Sequence, residues 1–365
     1  MKRGLTKRVF SLMIIFALTM PFVQWQGESF DNTVAAASLA TFAYLDVGQG
    51  NAELIKVGKK TTLIDTGKKS EYDELKKQLK KLGVKKINTL IVSHPDADHM
   101  ENAGNIIAKY KVKKIIMPRI KSSTLCYKKM VRAISDYNVK KITPSTGDKI
   151  KLGKGCSGKV LSVDASTTDK NEASIVMRVT YGSRTFLYMG DATARVEGDI
   201  LEAGYDVSSD IYLISHHGSD TANGVLFQKK ALTSKYGVAI FSVGRNSYGH
   251  PDKFVLNRSN KFAKRVYRTD KKGCIIAKTN GKKISFSFKA VKHNSSSGNY
   301  TSNKNGTVSK KTSNTSSTSG STVYITRTGK KYHFKGCRYL SSSCYKISLK
   351  DAKSQGYEPC SVCGK

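Results

Sequence analysis

Ser93-His94-Pro95-Asp96-Ala97-Asp98-His99 sets two imidazoles and two carboxylates within six consecutive positions. Nitrogen and oxygen donors at this density suit divalent cations. One Asp alone at such a place would be read as a helix cap. Four such side chains together are read as ligands. Asp65-Thr66-Gly67, Gly190-Asp191 and Ser215-His216-His217-Gly218 each follow a short apolar run, and His250 lies in the Gly-rich stretch Gly244–Pro251. All five His between residues 38 and 291 therefore fall in motifs, and none is left as an ordinary core residue. Chemistry gathered just past strand ends is what a site on a rigid scaffold requires.

The elements that position these residues read as two similar halves. Thr41–Leu45, Ala52–Val57 and Lys60–Ile64 are β-branched or apolar runs separated by Gly turns, which predicts an antiparallel meander. Glu71–Leu82 carries Leu75, Leu79 and Leu82 on one helical face and stops at Gly83. Thr89–Val92 reads as a buried strand, followed by a helix over about 100–110, a strand over 114–117 and a helix over about 127–137. The second half repeats the pattern: strands over about 159–163, 173–180 and 184–189, a helix to about Ala203, and strands over 210–214 and 238–243. A helix and final strands end near Phe288. This is the grammar of two sheets packed face to face with helices outside, and the stretch is long enough for a substantial core.

The rest of the chain differs in composition. Lys2, Arg3, Lys7 and Arg8 precede an apolar stretch, Val9–Val23, and Ala35-Ala36-Ala37 offers a small-residue cleavage site, so residues 1–37 read as a signal peptide. An uncleaved anchor is the alternative, and no later stretch is long and apolar enough to cross a bilayer. Localisation is therefore expected to be secreted, extracellular or at the cell surface. Residues 292–322, rich in Ser, Thr, Asn and Lys and without an acid, read as a flexible linker. Formal charge is +36, and +34 without residues 1–37. Such a field attracts polyanions such as nucleic acid, an anionic cell-wall polymer or lipid headgroups.

Four of the seven Cys crowd into residues 323–365. His333, Cys337, Cys360 and Cys363 form a Cys3His set suited to one structural zinc in a module too small for a large core, with two disulfides as the alternative. The module holds nine bases against two acids, which makes polyanion docking its expected job.

His94-x-Asp96-x-Asp98-His99, with Asp65-Thr-Gly before it and Gly190-Asp191 and His216-His217-Gly218-Ser219 after, resembles the metallo-β-lactamase superfamily. More narrowly, Leu45–Gly50, Ser93–His99, Glu172–Val176, Gly190-Asp191, His216–Ser219 and Tyr248–Pro251 resemble the extracellular hydrolase domain of ComEC-type competence proteins over about residues 40–290. The tail resembles small Ada-like zinc-binding modules. The resemblance implies an α/β fold, an αββα sandwich, with two divalent cations, zinc or manganese. His94 and Asp96 would hold one; Asp98 and His99 would hold the other, completed by His216 or His217, with His216 preferred; Asp191 would bridge.

Asp96 stands where most members have a His, and Asn171 is a further possible oxygen ligand, so the donor set leans toward manganese. Asn51 replaces a usual Asp, and Glu101-Asn102 a usual Gly pair. Asp98, Asp65 and His250 are the expected catalytic residues, Asp65 by orienting a ligand and His250 at the phosphate or the leaving oxygen. Asp46, Gln49, Ser219 and Asn246 are the expected substrate contacts. The function so implied is a secreted metal-dependent phosphodiesterase acting on DNA. The alternatives are phosphoester hydrolysis on teichoic acid or lipid headgroups, and a non-catalytic polyanion-binding scaffold.

Overall fold

A computed structural model describes residues 39–290, 322–326, 330–335, 337, 339–340, 344–354 and 357–363. The expected signal peptide and nearly all of the expected linker lie outside the described residues.

The first half runs β1 (Ala40–Tyr44), β2 (Glu53–Val57), β3 (Lys60–Ile64), α1 (Tyr72–Lys81), β4 (Thr89–Ile91), α2 (Ala97–Met100), α3 (Ala103–Tyr110), β5 (Lys114–Ile116), α4 (Leu125–Asp136) and β6 (Lys140–Ile142). The second runs β7 (Lys149–Gly153), β8 (Cys156–Ser162), β9 (Val176–Tyr181), β10 (Arg184–Tyr188), α5 (Ala194–Glu202), β11 (Ile211–Leu213), α6 (Val225–Ala231), β12 (Val238–Phe241), α7 (Lys253–Phe262) and β13 (Arg265–Arg268). Then α8 (Thr269–Lys272) leads to β14 (Cys274–Thr279) and β15 (Ile284–Lys289).

One sheet has the order β15-β14-β1-β2-β3-β4-β5-β6 and the other β13-β12-β11-β10-β9-β8-β7. Each is antiparallel on one side and parallel on the other: β3 through β6 in the first, β10 through β13 in the second. The last two strands return to the first sheet, where β14 pairs with β1.

Three apolar layers account for the order of helix, sheet, sheet and helix. Between the sheets, Phe42 stacks on Phe186 with ring centroids 3.6 Å apart, and Tyr44, Ile55, Val179 and Ile240 fill the space around them. Outside the first sheet Leu75 and Leu79 of α1 and Ile106 and Ile107 of α3 cover Leu54, Leu63 and Leu90. Outside the second, Val196 and Ile200 of α5 and Phe227 of α6 cover Leu187, Tyr212 and Ala239. In α1 the buried Leu75 and Leu79 are four residues apart, the helical period, while its lysines stay on the other faces.

Two details depart from the sequence expectation. The helix expected over about 100–110 is two pieces, parted at Glu101-Asn102. Asn102 Nδ2 donates to the carbonyls of Thr66, Gly67 and Lys68, and Glu101 Oε2 accepts from Lys69 N–H at 2.8 Å. The pair that replaces glycines thus straps the Asp65 loop to α3. Strands β6 and β7 escaped the pattern because lysines fill the first two of the three positions of β6 and alternate through β7; both are sheet edges, where lysine blocks further pairing.

In the tail, β16 (Thr322–Thr326), β17 (Lys331–His333), β18 (Cys344–Ser348) and β19 (Glu358–Pro359) form a sheet ordered β18-β16-β17-β19, with α9 (Leu349–Ser354) beside it. Val323, Ile325, Tyr332, Ala352 and Tyr357 make its core, which is continuous with Val225 of α6 and packs against Phe262 of α7.

Candidate metal centre

The site forms where the parallel strands of both sheets end. Asp65 follows β3, Ser93 to His99 follow β4, Asp191 follows β10, His216 and His217 follow β11, and the His250 loop follows β12. The sheets come so close here that a Cβ on Gly190 would lie 2.9 Å from the Ser93 Cβ; with φ at +54°, the position suits only glycine. His216 and His217 adopt φ of +50° and +54°, a left-handed pair that L-residues rarely form.

Asn223 holds that pair. Its Oδ1 accepts from Ser215 N–H and Tyr212 O–H, both at 3.1 Å, and its Nδ2 donates to the carbonyls of Ser215 and Ser219 at 2.9 and 3.0 Å. Glu197 braces it in turn, accepting from Asn223 and Gly224 N–H groups at 2.6 and 2.8 Å; burial pushes the Glu197 carboxyl up to about 7. Asn223→Ala leaves several buried groups unpaired and is expected to cost about 2–4 kcal/mol. Urea unfolding measures this, and a loss below about 1 kcal/mol would contradict the assigned role.

Four imidazoles face one another across Asp191. Each has its Nδ1 engaged: His99 with Asp65 Oδ2 at 2.8 Å, His217 with the Ser242 carbonyl at 2.8 Å, His216 with Thr221 Oγ1 at 3.1 Å, and His94 with Ser93 Oγ at 3.1 Å. A carbonyl only accepts, so His217 carries its proton on Nδ1 and turns a bare Nε2 to the site. Asp191 Oδ1 lies 3.1 Å from His99 Nε2; its Oδ2 lies 3.5, 3.7 and 3.9 Å from the Nε2 atoms of His216, His217 and His94. Asp98 Oδ2 is 3.3 Å from His217 Nε2.

The Nε2 atoms of His94, His99 and His217 and Oδ1 of Asp191 are buried and form no hydrogen bond. Such atoms are costly to bury unless something binds them. They fall into two groups of ligand-type atoms, His94/His99/Asp191 and Asp98/His99/His217, each within 4.8 Å. Nδ1 anchored and Nε2 bare is how imidazoles are set for a cation. The residues therefore fit divalent metal.

The charges agree with this. Burial opposes ionisation of Asp191, but His99 and His217 overcome it and hold the carboxyl well below its usual range. Burial likewise opposes a charge on His99, yet Asp191 and Asp65 hold its imidazole well above the usual range, so it takes a proton that a cation would replace. Burial, then His99, pushes His94 down to about 4, leaving it neutral.

The structure distributes the other expected residues as follows. His217, not the preferred His216, completes the group with Asp98 and His99; His216 approaches Asp191 alone among the carboxylates. The left-handed turn decides this, because it breaks the alternation that would otherwise assign adjacent side chains. Asp96 is half-buried, with Oδ2 3.8 Å from His94 Nε2 and Oδ1 taking a 2.7 Å bond from Lys170 Nζ, so a lysine shares it with the site. Asn171 enters by its backbone, donating to Asp169 Oδ1 and accepting from Ser174 N–H. His250 is half-buried, its ring 5.7 Å from that of His216.

The four expected substrate contacts have other work. Asp46, Gln49 and Ser219 are buried, and they bond to Gly48 N–H, Gly244 N–H and the Thr221 backbone and hydroxyl. The Asn246 amide spans its own loop, from the carbonyls of Gly244 and His250 to the N–H groups of Tyr248 and His250. Through these bonds the four residues brace the loops around the site. Sequence reasoning missed the side chains that stand outward at the mouth: Tyr248, 66% exposed, with Lys68 6.0 Å from its ring.

In the tail, His333, Cys337, Cys360 and Cys363 form a third group of ligand atoms within 4.8 Å. Backbone N–H groups of Val362 and Cys363 pull the Cys360 thiol down to about 7, toward the thiolate that metals take. The set is compatible with one zinc.

Residues 45–222 match the Metallo-beta-lactamase superfamily. The chain is 28% identical over 251 residues to ComE operon protein 3 of Bacillus subtilis (strain 168), covering 63% of this chain and 32% of that protein. It is 24% identical over 277 residues to competence protein ComA of Neisseria gonorrhoeae, covering 75% of this chain and 36% of that one. It thus spans about a third of the length of these curated relatives. The metallo-beta-lactamase fold protein YhfI from Bacillus subtilis aligns with 66% of this chain and 100% of its own, at 13% identity and a TM-score of 0.48. The chain carries a domain of the metallo-beta-lactamase superfamily.

Proposed function

We propose that this chain is an exported, metal-dependent phosphodiesterase that cleaves DNA. The observation that carries the proposal is the inward set of bare, buried Nε2 atoms around Asp191, which fits two divalent cations, zinc or manganese. Two such cations supply an acidified water and charge neutralisation at phosphorus. His94 and Asp96 would hold one, Asp98, His99 and His217 the other, with the Asp191 carboxylate between them. Asp65 fixes the His99 tautomer. His250, its ring 5.7 Å from that of His216, would contact the phosphate or give a proton to the departing oxygen, against burial and His216, which push its imidazole below the usual range.

DNA is favoured as substrate by two features. Lys68 and Lys170 stand beside the site in a chain of formal charge +36, and exposed Tyr248 offers a face on which a base can stack. Relatives whose names refer to competence and recombination support the same substrate class.

The test incubates the metal-loaded exported chain with single-stranded DNA, duplex DNA and a bis-phosphodiester dye, beside Asp98→Ala. DNA cleavage that falls as salt rises, and is lost in the variant, is expected. The salt slope should be about −0.9 per duplex phosphate neutralised and about −0.7 per single-strand phosphate. Dye cleavage with DNA left intact would favour teichoic acid or a lipid headgroup as substrate. No cleavage of any substrate would favour a polyanion-binding scaffold.

A further inference from the structure

We infer that the C-terminal module is a clamp on the two loops that carry His216, His217 and His250, and that Lys330 is the positioning residue through which it acts. Lys330 Nζ lies 2.8 Å from Asp220 Oδ2 and 3.4 Å from Asp252 Oδ2. Asp220 is three residues past His217, and Asp252 follows His250-Pro251. The two loops already touch, since Asp252 N–H donates to the Gly218 carbonyl at 2.9 Å. One lysine thus ties together the carboxylates on either side of that bond. Asp252 also caps α7, its Oδ1 accepting from Phe254 and Val255 N–H groups, so the clamp is anchored in a helix.

A second line of contact leads to the same loop. Tyr357 of the module lies under the Arg258 guanidinium, 5.6 Å from ring centroid to carbon, and Arg258 Nη1 donates to the Asn223 carbonyl at 2.8 Å. Asn223 is the residue that holds the left-handed His216–His217 pair. The module bears on α6 and α7 through its own core, so both lines start from an ordered base.

The module's cysteine–histidine group sets the clamp. Lys330 immediately precedes β17, which ends in His333. A cation held by His333, Cys337, Cys360 and Cys363 would fix β17, and with it the lysine. The tail then positions active-site loops as well as meeting polyanions. This inference stands on contacts within the chain and does not require the proposed DNA cleavage.

Hydrogen–deuterium exchange on the full exported chain tests it without any activity assay. Lys330→Met should speed exchange in 215–224 and 246–256 by about three- to tenfold, the scale of one half-exposed lysine bridging two carboxylates. Lys330→Arg should restore protection, and Cys360→Ser should resemble Lys330→Met. Exchange in α1, on the far layer, should not change. The clamp is overturned if both loops exchange at the native rate in Lys330→Met, or if α1 accelerates equally with them.

Discussion

Asp191→Asn is expected to lower turnover by about 10³-fold or more while leaving the fold intact. Asp191 is the one carboxylate within 4 Å of all four inward imidazoles among the described residues. An amide of the same shape keeps the backbone contact from Asp191 N–H to Ser174 Oγ at 3.1 Å. It supplies no negative charge, and its NH2 would point a donor at Nε2 atoms that should meet a cation. His99 and His217 hold the Asp191 charge against burial, so removing one partner of this buried cluster should also lower stability in the metal-free state. Steady-state kinetics beside a urea melt separates the two effects. A variant with turnover within tenfold of the parent would show that Asp191 is not where the two ion positions meet.

Asp65→Asn is expected to weaken metal binding by about 10–100-fold, although Asp65 touches no cation position itself. Its Oδ1 accepts from Ser93 N–H at 2.7 Å, and its Oδ2 meets Ser93 Oγ at 2.6 Å and His99 Nδ1 at 2.8 Å. With a carboxylate there, His99 keeps its proton on Nδ1 and turns Nε2 inward. An amide NH2 facing Nδ1 would favour the other tautomer, which points an N–H into the site. Asn tolerates the +56° φ of this position, so the backbone should hold. Asp65→Ala instead leaves Ser93 and His99 unpaired and should cost about 2–4 kcal/mol in addition. Competition against a chelating dye reads the affinity. Equal affinities in the parent and Asp65→Asn would remove the tautomer argument.

Much of the site could be read in the chain because its residues are local to strand ends. Thr89–Val92 followed by four ligand-type side chains gives a strand and a site at once, and Asp65, Asp191 and His250 follow the same rule. The sandwich was legible for a similar reason, as apolar runs alternate with amphipathic helices in both halves.

The unread parts depend on long-range contacts or rare backbone states. Asn223 looks like a loop residue in Asp220-Thr-Ala-Asn-Gly224, and only the fold shows its four hydrogen bonds to the strand β11 turn and Ser219. The choice of His217 over His216 rests on two consecutive left-handed residues, which no periodicity encodes. Glu53 occupies an inward strand position beside Ile55 and Val57, where alternation predicts an apolar residue. Burial, reinforced by Asp65 and Asp191, pushes its carboxyl well above the usual range. The docking of the tail on α6 and α7 was not legible either, because Val225 and Phe262 read equally well as ordinary core residues.

The strand ends are expected to cage a pair of divalent cations. Native mass spectrometry of the full chain, loaded with zinc and freed of loosely held metal, counts them. Three ions are expected in the intact chain. Replacing Asp98 and Asp191 together should remove the pair, and replacing Cys360 and Cys363 together should remove the tail ion. A count that stays the same when Asp98 and Asp191 are replaced would contradict the caged pair.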